Sequence, residues 1–100
     1  MRNIINRSNI ESKAICDVEV PNKYNIEIID KAFMDAINSI KSKYQLIKEP
    51  KYKGIQSIGK DAIVVRLEAA VNEKILYDAQ RLMNREIKIA FQNNGIEYGQ

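Results

Sequence analysis

The sequence predicts an α+β domain in which two helices cover one face of an antiparallel sheet. Residues 13–20 and 62–71 alternate apolar and polar side chains with period two, as half-buried strands do. Residues 26–42 and 73–94 space their apolar side chains three and four apart, as amphipathic helices do. The chain has 100 residues, one domain's worth, and is 45% hydrophobic and 29% charged, a globular composition.

The elements follow in chain order. Ala14, Cys16, Val18 and Val20 share one face of the first strand, and Lys13, Asp17 and Glu19 share the other, with Ile15 interrupting the polar face. Pro21, which has no N–H to donate, ends that ladder. Asn25 is placed to cap the first helix, with Glu27 and Asp30 near its positive end. Ile29, Ala32, Phe33, Ala36, Ile37 and Ile40 form its buried stripe. Tyr44 to Gly54 reads as a basic loop. Ile55 to Ile58 and Ala62 to Val71 read as a hairpin joined by Gly59-Lys60-Asp61, with Gly59 free to take a positive φ.

On the second hairpin strand Ile63, Val65, Leu67 and Ala69 face one way, and Val64, Arg66 and Glu68 the other. Asn72 caps the second helix, whose stripe is Leu76, Ala79, Leu82 or Met83, Ile87, Ala90 and Phe91. Asn94-Gly95 ends it, with Gly95 left-handed. Ile96 to Tyr98 begins a final short strand. The resulting order, β-α-β-β-α-β, is that of the ferredoxin-like plait, two helices on one face of a four-stranded antiparallel sheet. Residues 13–100 form this domain, and residues 1–12 read as a linker or the end of an upstream β-domain.

Composition removes several kinds of chemistry. With no histidine in the chain, His-based triads and His-bearing zinc sites are excluded. Cys16, the single cysteine, forms no internal disulfide and reads as a packing residue that suits a reducing compartment. The four glycines are scattered and build no phosphate cradle. Acid pairs such as Asp17 with Glu19 alternate along a strand with nothing to separate their pKa values. No catalytic, cofactor-binding or metal-binding residue is assigned, and a non-enzymatic role is expected. No apolar run reaches the ~20 residues of a membrane span, and no secretory signal precedes Ser12.

Charge is modest overall, +3, yet unevenly placed. Six lysines and one acid fall within residues 41–60, whereas residues 11–40 hold six acids and three lysines. The basic segment reads first as a solvated loop. RNA recognition on a plait needs aromatic side chains on the central strands, and Lys13–Val20 and Ala62–Val71 carry none.

Three segments, in order, resemble the cytoplasmic C-terminal region of small-conductance, MscS-type mechanosensitive channels. Asn3-Ile4-Ile5-Asn6-Arg7-Ser8 resembles the end of that family's β-domain. Val18-Glu19-Val20 with the capped helix after it resembles the valine–x–valine strand and acid-capped helix of its α/β domain. Arg85 to Ile96, with Ile87-Lys88, Phe91 and Gly95-Ile96, resembles its last helix, and Ile63-Val64-Val65-Arg66 fits the strand before it. Asn22 and Asn25 depart from the aromatic residue and the aspartate usual there. Glu97-Tyr98-Gly99-Gln100 stands where the family has a proline- and tyrosine-bearing segment.

The resemblance implies a vestibule and assembly segment of an ion channel for osmotic-stress ion and osmolyte release, separated here from the pore. Its partners would be copies of itself, in a homoheptamer, and an upstream transmembrane pore domain, on the cytoplasmic side of the inner membrane, with no nucleic acid. The fragment itself is expected to be soluble. Ile15 and Val64 suit a subunit contact. The alternative is a free-standing regulatory plait that binds a small ligand at a dimer seam.

Overall fold

The computed structural model describes residues 10–97. The elements are β1 (Glu11–Pro21), α1 (Ile26–Lys43), β2 (Lys48–Ile58), β3 (Ala62–Asn72) and α2 (Leu76–Asn93), with a 3-10 turn, Glu73–Ile75, before α2. The strands form a three-stranded antiparallel sheet in the order β1-β3-β2, and both helices lie on one face.

The alternating strands behave as their sequence requires. Ala14, Cys16, Val18 and Val20 of β1 and Ile63, Val65, Leu67, Ala69 and Val71 of β3 are buried beneath the helices. α1 buries all six residues of its expected stripe. Asn25 caps it, its side chain accepting from the Glu27 N–H at 2.9 Å. α2 buries Ala79, Met83, Ile87, Ala90 and Phe91, with Leu82 packed at the margin. At the centre, Phe33 stacks on Tyr52 at 4.7 Å between centroids and meets Phe91 edge-on at 5.4 Å. Such aromatic pairs add about 0.5–1.5 kcal/mol each beyond their buried area.

The four-stranded plait is corrected to three strands. Ile96 and Glu97 belong to neither helix nor strand, and Tyr98 lies outside the described residues. The reason is the end of α2. The Ile96 N–H donates to the Phe91 carbonyl at 2.8 Å and the Gly95 N–H to that of Gln92 at 3.2 Å, with Gly95 at φ +73. This is a Schellman cap, and it buries the Ile96 side chain. The amide a fourth strand would begin with is spent on the helix end. The Glu97 N–H then donates to the Tyr24 hydroxyl at 2.9 Å.

Further differences concern local chemistry. The basic loop is short, because β2 begins at Lys48 and absorbs most of the lysines into a strand. Its register against β3 shifts between Lys48 and Lys51, Tyr52 and Gly54, and Ile55 and Ser57, and these irregularities hide its alternation from a period-two reading. Positive φ occurs at Gly54 and Gly95, not at Gly59. Gly59 instead sits in a tight turn where an added Cβ would lie 3.0 Å from the Ala62 carbonyl oxygen. Asn72 caps the 3-10 turn rather than α2 itself, accepting from the Lys74 N–H at 2.8 Å. Glu11 and Ser12 belong to β1; residues 1–9, assigned from the sequence to a preceding segment, lie outside the described residues.

Candidate functional site

The most distinctive surface is the outer edge of β1. Its ladder with β3 runs unbroken from Glu11 opposite Asn72 to Pro21 opposite Ala62. Beyond its ends, Ile10 accepts from the Glu73 N–H at 2.8 Å, and the Asn22 N–H donates to Asp61 at 2.9 Å. Bonded and non-bonded pairs alternate along an antiparallel ladder. The even-numbered residues of β1 therefore turn their amides toward β3, and Glu11, Lys13, Ile15, Asp17 and Glu19 turn theirs outward. No strand of the described residues pairs with that edge. Gln80 of α2 reaches over it and donates to the Ile15 carbonyl at 3.3 Å. This edge is where a fourth strand of the expected plait would pair.

The open sheet face beside that edge is charged and cross-linked. Arg66 grips Asp17, directly opposite it, through Nε at 2.7 Å and the second guanidinium nitrogen at 3.1 Å. That hydrogen bonding, more than the charge itself, holds the Asp17 carboxyl below its ordinary range, against a smaller opposing effect of burial. Lys13 pairs with Glu68 at 3.6 Å. Ile15, 39% exposed, and half-buried Val64 are the apolar residues on this face singled out from the sequence as contact candidates. A depression of about 180 Å³ is lined by Glu11, Lys13, Glu49, Lys51, Glu68, Ala69 and Ala70.

Among the described residues no cluster of acids and cysteine could hold a metal ion. Burial, helped by the Asp17 charge, pushes the Cys16 thiol up to about 11. The thiol contacts the Gln80 carbonyl at 3.7 Å and is unreactive by both criteria. Tyr52 is on a strand, but it faces inward onto Phe33, so it offers no stacking surface to a base. No described helix is long and apolar enough to cross a membrane.

One buried polar group escaped sequence reasoning. Glu86, 1% exposed, lies on the inner face of α2 and accepts from the Tyr44 hydroxyl at 3.0 Å. Lys43 donates to it at 3.3 Å. Burial first, and the bond to Glu86 second, raise the Tyr44 hydroxyl above its ordinary value. The carboxylate ties the C-terminal end of α1 to the middle of α2. Its one signal in the sequence is its position, seven residues after Ala79 and four before Ala90 on the apolar stripe.

No protein-family model matches the chain, and a search of curated proteins finds no match.

Proposed function

We propose that this domain is a non-enzymatic assembly segment from the cytoplasmic part of an MscS-type mechanosensitive channel, one wall piece of a homoheptameric vestibule that ions and osmolytes traverse. The observation that carries the reading is the regular edge of β1, unpaired among the described residues. A sheet that leaves five consecutive outward amides of one strand without a neighbouring strand is suited to completion by another part of a larger assembly. The helix that carries the family-like Ile87, Phe91 and Gly95-Ile96 supports it, since those residues set the core and the end of α2.

The role is mechanical and electrostatic: holding neighbours in place and setting the charge that permeating ions meet. The test is functional. The complete reading frame that contains these residues, expressed in cells lacking mechanosensitive channels, is expected to restore survival of osmotic downshock and to give tension-gated currents in excised patches. A complete frame without upstream apolar spans of ~20 residues contradicts the proposal.

A further inference from the structure

Gln80 stands where a neighbouring strand would reach the middle of β1. It follows the buried Ala79 on α2, and its side-chain amide donates to the Ile15 carbonyl at 3.3 Å. Ile15 is one of the residues that turn both backbone groups away from β3. The contact is therefore the bond that the N–H of an added strand would make, supplied instead by a half-buried side chain. Among the described residues no strand competes for that carbonyl.

The open-face side chains of β1 narrow the occupant. Lys13 is taken by Glu68 at 3.6 Å, and Asp17 by Arg66 at 2.7 Å. Glu11, at the far end, lines the depression together with Lys13 and Lys51. Glu19 differs from all three. Val64 stands opposite it and Ser57 beyond, neither charged, and it makes no ion pair among the described residues. Ile15, four residues earlier on the same face, is 39% exposed. An extended segment laid antiparallel along β1, the sense used throughout this sheet, brings its side chains directly opposite these two. Its residue opposite Glu19 comes four positions before its residue opposite Ile15.

We propose that β1 is extended by a strand of a neighbouring chain that displaces the Gln80 amide from the Ile15 carbonyl, sets a basic side chain against Glu19 and, four residues later, an apolar one against Ile15. The backbone ladder supplies the attraction, and the two side chains supply register and choice of partner. Gln80 is a stand-in that keeps the Ile15 carbonyl bonded until the strand arrives, so the Gln80 contact and strand binding exclude each other. The inference rests on the reading of β1 as an assembly edge, and not on that assembly being a channel.

The test is an NMR titration of the isotope-labelled 100-residue chain with a nine-residue threonine peptide that carries arginine at its third position and valine at its seventh. The peptide is expected to slow hydrogen exchange at the amides of Lys13, Ile15, Asp17 and Glu19, with no new protection along β2. Gln80→Ala should tighten binding about two- to tenfold, as removal of one competing hydrogen bond implies. Glutamate in place of the peptide's arginine should weaken binding about threefold or more, and Glu19→Lys should reverse that order. No protection of the β1 amides, protection along β2 instead, binding unchanged or weakened in Gln80→Ala, or a charge preference that Glu19→Lys does not alter overturns the proposal. Peptide capture at β1 alongside a complete reading frame without apolar spans keeps this inference and removes the channel. Tension-gated currents without peptide capture do the reverse.

Discussion

The two edges of the sheet are built to opposite rules. β2 is irregular: three register shifts against β3 along its length, and a proline, a positive-φ glutamate and three lysines over the span Lys48–Lys53. Each of these discourages a second strand from pairing there. β1 is regular through all of its residues from Glu11 to Pro21, with no bulge against β3 and five outward amides in a row. Among the described residues its protection is mixed charges, Pro21 at one end and the Gln80 side chain over Ile15. Among the described residues both edges lack a neighbouring strand, and the difference between them is that the irregularities of β2 disfavour an added strand whereas the regular ladder of β1 does not.

The comparison is broken most severely within β1 itself. Val18 turns its amide toward β3, whereas Glu19 turns its amide outward. Val18→Pro is expected to cost about 3 kcal/mol or more, through a lost ladder bond and a stranded buried carbonyl, and Glu19→Pro less than about 1 kcal/mol. Chemical denaturation of the two variants checks this; similar losses in both would refute the assignment of outward and inward amides. Next in size is the Glu86 clamp, which holds the two helices over both halves of the sheet. Glu86→Ala leaves the buried side of the Tyr44 hydroxyl without its acceptor and is expected to cost about 1–3 kcal/mol, read in the same assay.

On the irregular edge, Gly54→Ala places a Cβ at φ +88, where the surrounding space is open but the backbone is not favourable. The expected cost is about 1–2 kcal/mol, with no comparable effect from alanine at Gln56 on the same strand. The smallest effect is electrostatic and belongs to the β1 side. The folded pKa of Asp17 lies below the ordinary 3.8, so its contribution is fully present above that value and is lost as pH falls through the folded one. In Asp17→Asn the stability lost on acidification below pH ~4 should shrink slightly, because the pair is partly exposed and solvent screens it.

Much of this architecture is legible in the amino-acid order. The strict alternation of 62–71 identifies the central strand, because both its neighbours and the helices above demand one buried face. Asn25 and Gly95 mark helix ends because their side-chain and backbone chemistry is local. β2 is not legible in its first half, since Pro50 and the surrounding lysines resemble a loop and only Pro50 and Tyr52 turn inward there. The missing fourth strand has the same kind of cause: Ile96 looks like the start of a strand, but its amide and side chain are both taken by the end of α2. Glu86 is hidden because a carboxylate on an apolar stripe becomes intelligible only when Tyr44 and Lys43, more than forty residues away, are seen beside it. The open edge of β1 appears only once the strand order is known.

The most direct test of the central claim is residue-resolved hydrogen exchange of β1, in the isolated chain and in the larger assembly proposed for it. In the isolated chain the amides of Lys13, Ile15, Asp17 and Glu19 should exchange quickly, and those of Ala14, Cys16, Val18 and Val20 slowly. In the assembly the first set should become protected as a neighbouring segment pairs with the edge. Outward amides that stay fast in the assembled protein would contradict the reading of β1 as an assembly edge, and outward amides already slow in the isolated chain would show that the edge is not open.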